Sequence, residues 1–306
     1  MISFAIPDHF VRTITETNGA AGRDWLDRLP TILDACAEQW DLTLGPPFAG
    51  LSYNYAAPAT RADGAQAVVK ACPPSGEFRV QSAALRVYDG RGAARLRAAD
   101  HEREVMLLER LEPGAMLSAV EDDAEATAIA AGVMRALWRP VSPEHPFPSV
   151  ADWGEGFARL RRRYDGGTGP FPPALVEEAE HLFAELNASA AAPVVLHGDL
   201  HHYNILDAGS RGWLAIDPKG LAGEPAYEIG AYLRNRLPEP LPNPEAARVT
   251  ARRIDQFAAE LGLDRARVRG WGLAQAVLSA WWTVEDHGHG WEPTIALAEL
   301  VAALKE

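Results

Sequence analysis

Two lobes of unequal character are what the sequence predicts, a smaller one of antiparallel strands and a larger one of helices, giving an α+β chain. Three observations carry this. Strand-period segments broken by turn residues dominate the stretch before Pro113, and helix-period segments fill most of the chain beyond Glu121. A short polar-rich run, residues 193–217, interrupts the helices. At 306 residues the chain also exceeds what one core comfortably supports, and the division is expected at residues 1–112 and 113–306.

Taken in order, Trp25, Leu26, Leu29, Ile32, Leu33, Cys36 and Trp40 recur at helical spacing, so residues 24–40 read as an amphipathic helix ahead of Pro46-Pro47. Leu51, Tyr53 and Tyr55 then alternate with polar or small residues. Ala62-Asp63-Gly64 supplies turn chemistry and residues 66–70 resume the extended pattern, which together predict a hairpin. A short helix over 78–87 stops at Asp89-Gly90, and extended segments come next at 94–98 and 105–109. Beyond Pro113-Gly114, helices are expected at 121–138, 153–163 and 174–187, with a proline-rich connection at 140–148. Residues 193–197 and 214–217 read as extended, separated by a Gly209–Gly212 turn. From Tyr227 the pattern is again helical, interrupted at 237–244 and at Gly270.

Composition narrows the function classes. A net charge of −13 without a Lys/Arg cluster interleaved with aromatics argues against a nucleic-acid partner. A cationic small substrate suits this field, although an acidic surface also simply keeps an alanine-rich chain soluble. The two cysteines have no metal or redox spacing and are expected reduced. No basic start with a sustained apolar core opens the chain, and no later run is long enough to span a bilayer. A cytoplasmic location with no membrane partner is the expectation.

The chemistry concentrates in His197-Gly198-Asp199-Leu200-His201-His202-Tyr203-Asn204, followed by Ile216-Asp217-Pro218. Phosphoryl transfer needs a carboxylate to orient the acceptor hydroxyl and hard oxygen ligands for magnesium, because its transition state is stabilised by position and charge. Asp199, Asn204 and Asp217 meet those needs. Protein kinases place a catalytic Asp five residues before a metal-binding Asn, with a second metal-binding Asp on the next hairpin, and this chain repeats that spacing. Singly, Asp199 also reads as a turn aspartate and Asn204 as a turn former. His197, His201 and His202 have no third ligand set beside them, so hydrogen-bonding roles are expected over zinc.

Gly198 stands where protein kinases carry Arg, and Asp217-Pro218 where they carry Asp-Phe, a pattern that resembles the aminoglycoside phosphotransferase branch. The segments Leu85–Ala93, Leu107–Gly114, His197–Leu206, Asp217–Glu228 and Leu233–Asn235 are similar to the streptomycin 6-kinase and hydroxyurea phosphotransferase family, across roughly residues 45 to 290. That resemblance implies a bilobal protein-kinase-like fold with a small antiparallel-sheet N-lobe for nucleotide and a larger helical C-lobe. It implies ATP or GTP with Mg²⁺ as cofactors, Asp199 as catalytic aspartate, Asn204 and Asp217 as metal ligands, and Lys70 on the nucleotide phosphates.

Other assignments stand on position. Lys70 ends a Val-Val strand shortly before a helix that can offer an acidic partner, although a strand-ending lysine also serves as an edge charge. Glu77 is the candidate partner, since Gln81 occupies the position where a glutamate is expected. Gly50 and Ser52 lie where backbone amides can approach phosphate, in a loop equally readable as ordinary. Glu109 and Leu111 fall where strand backbone meets the base, by analogy of lobe order. On the acceptor side Trp282, Glu285 and Asp286 close a helix with aromatic and acidic groups that suit a cationic, hydroxylated small molecule, though a solvated helix end over core tryptophans fits equally. Glu228 and Asn235, seven apart, are expected on one helix face toward the same cleft, while Arg234 reads as a structural anchor for the catalytic loop. The expected activity is O-phosphorylation of an aminoglycoside such as streptomycin. A metabolic kinase of an endogenous compound and a non-catalytic nucleotide-binding relative remain as the other readings.

Overall fold

The computed structural model describes residues 5–239 and 241–304. The chain divides into two compact units, 1–114 and 115–306.

In the first unit, helix α1 (Asp8–Gln39) begins well before the predicted residue 24 and breaks at Gly19, whose φ of 57° and ψ of −130° lie outside the helical region. Glycine tolerates that geometry without penalty. The two arms pack closely: a Cβ on Gly22 would fall 2.5 Å from the Ile14 carbonyl oxygen. Phe10 and Ile14 of the first arm thereby join Trp25, Leu29, Leu33 and Cys36 of the second in one buried cluster. Burial pushes the Cys36 thiol up to about 11. The first arm was invisible to periodicity because its run of threonines, Asn18 and Gly19 favours turns over helix.

The cluster covers one face of an antiparallel sheet of β1 (Leu42–Leu44), β2 (Tyr55–Arg61), β3 (Gln66–Ala71), β4 (Leu96–Asp100) and β5 (Val105–Glu109), ordered β1-β2-β3-β5-β4. The hairpin is as expected from residue 55 onward, closing through Gly64 at φ 81°. Leu51 and Tyr53, expected in the strand, lie instead in the turn and bend region ahead of it. Ala57, Ala59, Ala67, Val69 and Leu107 face the α1 cluster. Side chains alternate across a sheet, so Lys70, between Val69 and Ala71, projects from the opposite face. Helix α2 (Glu77–Tyr88) ends at Asp89 and Gly90, both left-handed.

In the second unit, α3 (Asp123–Leu137) starts on an Asp122 cap and α4 (Val150–Arg163) on a Ser149/Asp152 capping box. After α5 (Pro173–Ala188) come two small antiparallel ladders, β6 (Val194–Leu196) with β9 (Leu221–Gly223), and β7 (Ile205–Asp207) with β8 (Trp213–Ala215). The remainder is α6 (Ile229–Leu233), α7 (Pro244–Leu261), α8 (Arg265–His287) and α9 (Glu292–Ala303). The interruption expected at Gly270 does not exist, and α8 runs straight through it. Its missing side chain admits Leu186, whose Cδ1 would sit 2.9 Å from a Cβ there. The actual break is Gly262, left-handed at φ 65° after α7. Two buried charges are fully paired. Arg253 reaches Asp123 and the carbonyls of Asn235 and Arg236, and Glu224 takes Arg267 and the Trp271 indole. No helix among the described residues is long and apolar enough to cross a membrane.

Candidate active site

The loop 197–204 leaves β6 and returns into β7, and its first turn is held by buried groups. Both carboxylate oxygens of Glu228 accept backbone amides, His197 N–H at 2.6 Å and Gly198 N–H at 2.8 Å. Glu228 is buried, and burial pushes its carboxyl up to about 7 against the lowering effect of those two bonds. The expectation that Glu228 faces an acceptor cleft is therefore corrected: it is a clamp beneath the loop. Its presumed helix with Asn235 is also absent, because residues 225–228 form a 3₁₀ turn and α6 is five residues long. Asn235 instead bonds back to the Ala231 carbonyl at 2.8 Å.

His197 uses both ring nitrogens. Its Nδ1 accepts the Asp199 amide at 3.2 Å, so Nε2 carries the hydrogen and donates to the Ile216 carbonyl at 2.7 Å. Burial lowers this imidazole to about 4 and keeps it neutral, and the ring ties the Asp199 turn to the residue preceding Asp217. Ile216 N–H closes the link from the other side by donating to the Asn204 carbonyl at 2.9 Å. His202 is buried as well, stacked on Tyr232 at 4.0 Å between ring centres, and burial lowers it to about 3.

Asp199 itself is open, its side chain 34% exposed. One oxygen lies 3.9 Å from Arg234 and the other 3.7 Å from His201 Nε2. Asp217 sits at φ 59° beside the same group, and the charges of Asp199 and Asp217 both act on His197 and His201. Asn204 donates its amide nitrogen to the Asp199 carbonyl at 2.9 Å, which leaves Oδ1 as its donor atom toward a cation. An amide oxygen and a carboxylate with no soft ligand beside them fit Mg²⁺, which prefers oxygen. The structure thus gathers Asp199, Asn204 and Asp217 into one cluster.

Gly198 has a physical reason to replace arginine. It is left-handed at φ 84°, and a Cβ would meet the Trp153 ring at 3.1 Å and Lys219 Cβ at 3.3 Å. Trp153 was not singled out from sequence, since nothing local marks a helix residue as the neighbour of a distant loop. It packs edge-on against Trp282 at 5.3 Å, which brings Trp282, half-buried, toward the loop. Glu285 is held elsewhere, in a bidentate pair with Arg159 at 2.8 and 2.9 Å, so its expected role as a free acid for a substrate cation is corrected. Asp286 is exposed beside it.

In the first unit Lys70 is 2% exposed, flanked in register by Ala56 and Met106. Glu77 opens α2 half-buried, whereas Gln81 one turn later is buried with no hydrogen bond to its amide oxygen. Gly50 and Ser52 lie in the loop before β2, with open space where a Gly50 Cβ would point. The Glu109 amide, expected to meet a base, is bonded instead to the Arg95 carbonyl at 2.9 Å.

Comparison with known proteins agrees with this architecture. Residues 45–287 match the family model of aminoglycoside/hydroxyurea antibiotic resistance kinases. The chain is 31% identical to a streptomycin 6-kinase of Streptomyces glaucescens, over 98% of its own length and 97% of that protein. It is 35% identical to a hydroxyurea phosphotransferase of Kitasatospora aureofaciens, over 92% of this chain and 81% of that one. Among solved structures, a choline/ethanolamine kinase family protein from Mesorhizobium loti superposes with a TM-score of 0.65 at 15% identity, covering 91% of this chain and 94% of that chain. A thermostable aminoglycoside phosphotransferase mutant solved with ADP and hygromycin B gives 0.63 at 14% identity, covering 88% and 96%. These two likenesses speak for the fold, which is protein-kinase-like. The extent of the family match and the near full-length identity to curated relatives make the chain a member of the aminoglycoside/hydroxyurea antibiotic resistance kinase family, a small-molecule phosphotransferase acting on hydroxyl groups.

Proposed function

We propose that this kinase transfers the γ-phosphate of ATP or GTP to a hydroxyl of an aminoglycoside, with streptomycin the first candidate, and so inactivates it in the cytoplasm. The observation that carries the reading is the cluster of Asp199 and Asn204 on one braced loop with Asp217 on the segment tied to it. Asp199 orients the acceptor hydroxyl and takes its proton as the oxygen attacks phosphorus. Asn204 and Asp217 are the residues that would hold Mg²⁺, which would offset the charge of the phosphates. Lys70 is assigned to the α/β-phosphates, with Glu77 as its acidic partner and Gly50, Ser52 and Leu111 on the nucleotide side. Trp282 and Asp286 are assigned to the acceptor, joined by Trp153 because it touches Gly198.

Hydroxyurea is the second acceptor to test, because the relative that acts on it is 35% identical to this chain. Purified protein is incubated with Mg²⁺, either nucleotide and each compound, and the product mass is read. The expected result is one added phosphoryl group on streptomycin with wild type and none with Asp199→Asn. Wild-type turnover by D199N would remove Asp199 from its role, whereas a product from hydroxyurea alone would move the substrate assignment.

A further inference from the structure

We infer that Arg234, braced by Gln275, is the positioning residue that orients the Asp199 carboxylate for proton acceptance. The inference rests on the phosphotransfer role proposed for Asp199. Arg234 follows α6, and its side chain is only 14% exposed. Burial lowers its affinity for a proton, yet an arginine remains charged in proteins, so a nearly buried cation stands behind the loop. Its Nη2 lies 3.9 Å from Asp199 Oδ1. That spacing is too long for a hydrogen bond and short enough for the charge to act on the carboxylate from its partly shielded side.

The other arm of the guanidinium is fixed. Arg234 Nη1 donates to Gln275 Oε1, and Gln275 Nε2 donates to the Tyr227 carbonyl at 3.1 Å. Gln275 is 1% exposed, and only this orientation of its amide works, since arginine can only donate and a carbonyl can only accept. Gly230 makes room for it, because a Cβ there would fall 2.4 Å from Gln275 Oε1. A relay of Tyr227 carbonyl, Gln275 and Arg234 therefore sets the guanidinium from the rigid interior of α8. With Gly198 in place of the arginine found in protein-kinase loops, a cation beside the aspartate comes from a different element of the chain.

The test compares wild type, Arg234→Lys, Arg234→Met, Gln275→Leu, Asp199→Asn and the R234M/D199N double variant by kcat and by KM for ATP and streptomycin. R234M is expected to lose about 100-fold in kcat, the size of a small misplacement at a reacting centre, with both KM values within about threefold of wild type. Added guanidinium ion at sub-denaturing concentration should restore part of that loss in R234M and none in D199N. R234K should fall between, and the double variant should be no slower than D199N alone. A folded R234M with kcat within about threefold of wild type overturns the inference, as does multiplication of the two losses in the double variant. Should R234M not fold, Q275L decides: it keeps the cation and removes its brace, so reduced kcat at unchanged KM supports positioning and wild-type kcat overturns it. If wild type phosphorylates neither streptomycin nor hydroxyurea, the substrate reading fails separately, and the same comparison is read from hydrolysis of ATP by water.

Discussion

Both oxygens of Glu228 are committed to amides of the loop that carries Asp199, so glutamine is an imperfect replacement: its oxygen can accept one amide while its NH₂ confronts the other. E228Q should therefore reduce kcat about tenfold or more through a loosened loop. It should also alter the response to acid. His197 and His202, lowered to about 4 and about 3, stay neutral in the folded chain while the unfolded chain gains protons below 6.5, so their contribution to stability is lost as pH falls through that range. Glu228, raised to about 7, works in the opposite sense: the folded chain holds its proton from about 4.5 to 7, and stability is lost as pH rises there. Removing that opposing group should steepen the loss of stability between pH 6.5 and 5 by up to about 1.4 kcal/mol per pH unit, read from urea midpoints. At this scale the grouping of Asp199, Asn204 and Asp217 was legible because their spacing is local. It misplaced Glu228 and Glu285, because an acid in a chain looks the same whether it meets water, a buried amide or an arginine on another helix.

The elements repeat that division. The β2–β3 hairpin, α2, α3 and α5 were readable from period and turn chemistry, whereas Gly270 looked like a break because its purpose, room for Leu186, lies on another helix. Helices α4 and α8 meet through the Trp153–Trp282 edge contact and the Arg159–Glu285 pair. The Arg159 side chain is 40% exposed, so a double-mutant cycle on the ion pair should return less than about 1 kcal/mol. Trp282→Ala should instead raise KM for the acceptor several-fold and leave KM for ATP unchanged, since its assigned role is on the acceptor. A coupling well above that bound, or a KM change for ATP in W282A, would assign these residues to holding the helices together.

Across the whole molecule the net charge of −13 becomes a kinetic property. Attraction between an acidic protein and a cationic acceptor weakens as salt shortens the screening length. KM for streptomycin should therefore rise between about 0.05 and 0.5 M NaCl, a range that takes the Debye length from above 10 Å to below 5 Å, while KM for neutral hydroxyurea should hold steady. Equal salt responses would reduce the acidic surface to a solubility device. Strand-rich first and helix-rich second was legible in the order of the chain, because hydrophobic period reports local structure. The way α1 folds back on itself was not legible, since it depends on one glycine conformation and on a face of small residues contributed by strands far along the chain.

That folded-back helix has a practical corollary. The match to the family begins at residue 45, yet Phe10, Ile14, Trp25 and Leu29 shield Ala57, Ala59, Val69 and Leu107. A version trimmed to the matched residues would bare a row of small and branched side chains to water, the kind of patch through which proteins clump during overproduction. Chimeras made with relatives should accordingly inherit helix and sheet face from the same parent, since the two were shaped as lid and box.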